Sequence, residues 1–233
     1  MDVVIVGGPH SGVGKTAACE RALEALAGRA FGAIKLTVAD GETDPLVHDH
    51  GAGARAIADA AGICGRGASC GVCESVSARV PSRLVVADGA IRKPGTDTGR
   101  LAAAGAVAVA WVIALRAAAP SAVEAAVRHL ASRGARGVLI EGTTALEWIR
   151  PAASVMVATD PGRRWKRVAL ERIGSCDIVL RNRLPSPCGD VAAPDVLGAS
   201  SPIECDLGRP DDAGTHRFQS LLISKLDPAL SPM

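Results

Sequence analysis

The residues most able to do chemistry lie at the start of the chain, in Gly7-Gly8-Pro9-His10-Ser11-Gly12-Val13-Gly14-Lys15-Thr16. Glycines free of side chains let backbone amides close around an anion, and a helix starting at the Lys-Thr pair adds its positive end. In such a loop Gly12, Val13 and Gly14 cradle phosphate, Lys15 reaches the outer phosphates, and the Thr16 hydroxyl coordinates Mg²⁺. Pro9 stands where the first glycine of the strict G-x-x-x-x-G-K-[ST] string belongs. The chemistry expected is binding and cleavage of a nucleoside triphosphate, GTP or ATP.

Metal-assisted phosphoryl transfer also needs an acid. Val138-Leu139-Ile140 reads as a buried strand with Glu141 at its carboxyl end, where open α/β sheets collect ligands, so Glu141 is a candidate Mg²⁺ partner. Asp40, just past the second apolar run, is the candidate for orienting the attacking water. Asn182, in Asn182-Arg183, is placed near the base. A guanine-reading Asn-Lys-x-Asp string would need an acid at position 185, where Pro185 stands.

A second constellation is Cys64-Gly-Arg-Gly-Ala-Ser-Cys70-Gly-Val-Cys73. Closely spaced thiolates on glycine-rich backbone can converge on zinc or an iron–sulfur cluster. Cys64, Cys70 and Cys73 leave a closed site one ligand short. His48, His50, Cys176, Cys188 or a cysteine of a second subunit could complete it, the last implying a homodimer. Unlinked thiols, or a redox disulfide between Cys70 and Cys73, are the alternatives. Cys19 falls on the apolar face of the first helix and is expected in the core.

These residues need a scaffold. Val3 to Val6 is a β-branched run ended by glycine, a helix follows from Lys15 to a stop at Gly28, and Ala33 to Val38 is a second strand, which completes one βαβ unit. Apolar runs recur at 84–87, 107–114, 138–140, 155–158 and 178–180 with helices between several of them. One helix is expected from Pro120-Ser121, with Ser121 and Glu124 at capping-box spacing and Gly134 at its end. The pattern predicts a three-layer α/β fold of the P-loop NTPase type, with a mainly parallel sheet and a Cys-containing insertion. Residues 1–184 are assigned to the nucleotide-binding domain, with the insertion at about 39–80. Residues 185–233 are read as an irregular extension with a short helix.

The 233 residues are 48% hydrophobic, enough for one sizeable core. A net charge of +2 and two Phe, three Trp and no Tyr give neither a basic footprint nor stacking platforms, which argues against nucleic acid as a partner. The longest apolar stretch, Leu101 to Leu115, is shorter than the roughly 20 residues that span a bilayer. With neither a basic leader nor a cleavage site before the first strand, a cytoplasmic protein is expected.

The loop Gly8 to Thr16, the run Lys93-Pro94-Gly95-Thr96-Asp97-Thr98 with Arg100 and Ala103 to Ala106, and Ile140-Glu141-Gly142 occur in this order. Together they resemble the molybdopterin-guanine dinucleotide biosynthesis protein B family, and Ile34-Lys35-Leu36-Thr37 partly matches its second strand. The resemblance covers about residues 1–40 and 90–145. It implies a GTP-binding accessory protein in molybdenum cofactor biosynthesis that works with a protein partner. In that family the proline-glycine segment follows the second strand closely; here the cysteine insertion intervenes. The GVGKT loop and the Asn-Arg pair are also similar to those of dethiobiotin synthetase and cobyrinate amidation enzymes, which implies an ATP-dependent ligase as the alternative. A non-catalytic nucleotide-binding adaptor is the third reading.

Overall fold

The computed structural model describes residues 1–39, 75–158, 165–183 and 201–227. Its frame is an eight-stranded sheet in the order β3-β4-β2-β5-β1-β6-β7-β8. The strands are β1 (Asp2–Gly7), β2 (Phe31–Ala39), β3 (Ser82–Val85), β4 (Val109–Leu115), β5 (Gly137–Glu141), β6 (Ala153–Ala158), β7 (Ile178–Asn182) and β8 (Ile203–Cys205). Every neighbouring pair is parallel except the edge pair β3–β4. The helices are α1 (Lys15–Ala25), α2 (Asp88–Ile91), α3 (Asp97–Ala103), α4 (Ala119–Ser132), α5 (Arg167–Arg172) and α6 (Ala213–Leu226).

Alternation along the central strands sends side chains into two cores. Val4 and Val6 of β1 and Leu139 of β5 pack with Cys19, Ala22 and Leu23 of α1, Leu101 of α3, and Phe218 and Leu222 of α6. On the opposite face Ile5, Ile34, Val138 and Ile140 meet Ala122, Val123, Ala126 and Leu130 of α4. A strand enclosed on both faces has no polar side to show, which is why these segments read as unbroken apolar runs. The expected α/β architecture with a mainly parallel sheet is therefore present, and Cys19 is fully buried as expected.

Two details differ from the sequence reading. Ser121 does not cap α4: the helix begins at Ala119, because the 3-10 turn Arg116–Ala118 leads directly into it. Ser121 Oγ, already inside the first turn, donates back to the Ala118 carbonyl at 3.0 Å, and Glu124 pairs with Arg128 instead. The tail read as irregular contributes β8 to the sheet edge and the 14-residue α6, so its described part shares the core of residues 1–183. The antiparallel edge pair β3–β4 fits the expected mainly parallel sheet, and α2 and α3 lie in the connection between its strands. Among the described residues no helix is long and apolar enough to cross a membrane.

Candidate functional site

β2, β4 and β3 lie on one side of the central pair β5–β1 and β6 to β8 on the other, so the carboxyl ends of β5 and β1 border a topological switch point. The loop leaving β1 occupies it. Gly12 and Gly14 adopt positive φ of 79° and 103°, a left-handed backbone that side-chain-bearing residues rarely take. Gly14 is also closely covered, since a Cβ there would stand 2.3 Å from Asn182 Nδ2.

Two side chains brace this loop. Thr143, in the 3-10 turn Thr143–Glu147 after β5, accepts from the Gly8 amide at 2.9 Å and donates to the Gly8 carbonyl at 2.7 Å. Asn182, at the carboxyl end of β7, donates to the Val13 carbonyl and accepts from the Leu207 amide, both at 3.1 Å. The side chain assigned to a base is thus engaged by the loop's own backbone, and Arg183 next to it pairs with Asp212. Pro9, which cannot donate, gives its carbonyl to the Lys166 amide.

What the loop leaves open is as informative as what it ties down. α1 begins without a side-chain cap and without an acid in its first turn. Among the described residues, the amides of Gly12, Gly14, Lys15 and Thr16 meet no acceptor. Beside them Lys15 donates its ammonium to the His10 carbonyl, its only hydrogen bond among the described residues. Burial pulls this ammonium down to about 8, with Glu141 acting in the opposite sense. A half-buried cation next to unpaired helix-end amides has the chemistry to hold an anion.

The acids converge on the same place. Glu141 ends β5, is 1% exposed, and accepts from Thr16 Oγ1 at 3.1 Å. Asp97 opens α3, whose start is capped by Thr96 accepting from the Gly99 amide, and it faces Thr16 Oγ1 at 3.2 Å. Lys35 of β2 stands directly across from Glu141 in the strand register, pairs with it, and meets Asp97 at 2.6 Å. Burial works against the Lys35 charge, yet Glu141 and Asp97 outweigh it and hold the ammonium above its usual range.

Lys15, Thr16 and Glu141 are therefore brought together as the sequence suggested. Asp97 and Lys35 are additions: the sequence placed Asp97 in a resembling segment and Lys35 on a strand without giving either a ligand role. Asp40, Cys64, Cys70, Cys73, His48, His50 and Cys188 lie outside the described residues. Cys176, just before the amino end of β7, is a thiol whose value burial pushes up to about 11. Among the described residues no three His, Cys, Asp or Glu side chains gather as metal ligands.

A magnesium ion suits this oxygen set, because Mg²⁺ binds through one or two carboxylates and completes its shell with phosphate oxygens and water. Thr16 and Glu141 would hold it, with Asp97 alongside, and the Lys35 ammonium already marks a cation position between the two acids. No family model, curated protein or solved structure matches the chain.

The bracing by Thr143 has a measurable consequence. Thr143→Val keeps the shape and removes the hydroxyl, leaving a buried amide and carbonyl of Gly8 unpaired at a cost of about 1–3 kcal/mol. A lowered urea midpoint is the expected result, with Thr143→Ser restoring it. An unchanged midpoint for the valine variant would show that the hydroxyl does not hold the loop.

Proposed function

We propose that this chain is a P-loop nucleotide-binding protein that hydrolyses GTP or ATP with Mg²⁺ and assists assembly of a metal-containing cofactor. The observation that carries the first part is the half-buried Lys15 ammonium beside open amides at the start of α1. That arrangement is unsatisfied without an anion and complete with a phosphate chain.

In the proposed reaction a water oxygen attacks the terminal phosphorus and the bond to the diphosphate oxygen breaks. Lys15 neutralises charge on the outer phosphates, and the amides of Gly12 to Thr16 hold them in line. Thr16 and Glu141 would hold the metal, which would supply neutralisation of the phosphate charge. Asp40 is assigned to orienting the water. Asn182 acts from behind, by keeping the Val13 carbonyl turned away from the phosphates.

The metallocofactor part rests on Cys64, Cys70 and Cys73 and on the resemblance to the molybdopterin-guanine dinucleotide biosynthesis protein B family. In this reading the three thiolates carry or sense zinc or an iron–sulfur centre, and a protein partner receives the signal. Phosphate release from ATP and GTP tests the reaction: slow, Mg²⁺-dependent release without any small-molecule acceptor is expected. Release that requires a carboxylic acid, with an amidated or cyclised product, would replace this reading by the ligase. Anaerobic purification followed by metal analysis should find one metal centre per chain or per dimer, and a metal-free protein would remove the cofactor part.

A further inference from the structure

The four polar groups around Thr16 form a closed ring. Glu141 gives one carboxylate oxygen to Thr16 and the other to Lys35, and Asp97 does the same. The single Thr16 proton is shared between two acceptors, while the Lys35 ammonium is the cation that balances the pair. All four carboxylate oxygens are thereby in use, and Lys35 is only 12% exposed, so it has little room to withdraw into water.

Adding a divalent ion alone to this ring would bring it against two ammonium groups, Lys15 and Lys35, in a largely enclosed place. Adding a triphosphate alone would bring several negative charges against Glu141 and Asp97. Lys15 and Lys35 already balance Glu141 and Asp97, so a metal ion and a triphosphate that enter together offset part of the excess charge that each would bring alone.

We propose that Lys35 is a tethered stand-in cation that holds the divalent-metal position between Asp97 and Glu141, so that metal enters only together with nucleotide. This rests on the nucleotide reading above. With metal bound, Thr16 would keep its hydroxyl proton on one carboxylate, and Lys35 would give up its place between Asp97 and Glu141. Lys35 is a positioning residue in this scheme, because it sets when the metal can bind.

The experiment is titration of the full chain with Mn²⁺, reading free Mn²⁺ by electron paramagnetic resonance, with and without nucleoside diphosphate. Nucleotide-free wild type should take up no stoichiometric Mn²⁺, and Lys35→Met should gain one site, tighter by about tenfold or more because a neighbouring charge is removed. Lys35→Arg, which keeps the charge, should remain without it, and adding Asp97→Asn to Lys35→Met should abolish it. Stoichiometric Mn²⁺ binding by nucleotide-free wild type, as tight as that with nucleotide, would overturn the proposal without any variant, as would a folded Lys35→Met that gains nothing. If that variant gains nothing while wild type still binds Mn²⁺ with nucleotide, the function stands and the role of Lys35 falls. If Lys35→Met gains its site but nucleotide never adds one to wild type, the nucleotide reading falls instead.

Discussion

Replacing Lys15 by alanine should weaken ATP and GTP binding by about 100-fold or more, the effect expected when one partner of a buried charge pair is removed. Turnover should vanish with it, since the ammonium neutralises charge that develops on the outer phosphates. The fold should survive. Lys15 is half-buried, burial pulls its ammonium down to about 8, and its one hydrogen bond among the described residues is to a loop carbonyl. Circular dichroism and a urea melt should therefore match wild type, which separates loss of binding from loss of structure. Unchanged affinity for both nucleotides would mean that the loop from Gly8 to Thr16 is a structural turn.

Glu141→Gln should leave nucleotide affinity within a few-fold of wild type and slow Mg²⁺-dependent hydrolysis by about 100-fold. Glutamine keeps the shape of the buried end of β5 and one acceptor, which serves Thr16 or Lys35 but not both, and loses the charge that would hold a metal. Lys35 retains Asp97 as its counter-ion, so the variant does not leave a buried ammonium unpaired. Steady-state phosphate release beside equilibrium binding reads the two effects separately. Wild-type turnover would assign the metal to another acid, Asp97 or Asp40.

The parts of this site visible in the sequence were those built from local chain. A β-branched run, glycines and Lys-Thr at a helix start are consecutive, and Glu141 follows its strand without interruption, so strand-end placement alone brought it to Thr16. The ring around Thr16 was hidden because it depends on strand order. Lys35 meets Glu141 across 106 residues and Thr16 meets Asp97 across 81, pairings set by β2 lying beside β5 and by α3 packing beside α1. Thr143 carries no periodic signal, and its role exists only because the turn after β5 passes under Gly8. β8 escaped notice because three residues in a proline-rich stretch are too short to alternate. Asn182 ends β7, where the apolar run predicts a strand end, but its amide faces Val13 and Leu207, contacts that depend on tertiary approach.

The central claim is that the loop between β1 and α1 binds the phosphates of a nucleotide through Lys15 and open amides. Calorimetric titration of the purified chain with ATP and with GTP, each with Mg²⁺, tests it most directly. Saturable one-to-one binding of at least one of them, lost in Lys15→Ala and competed by inorganic triphosphate, is the predicted result. No heat of binding for either nucleotide, from protein whose urea melt shows it to be folded, would contradict it.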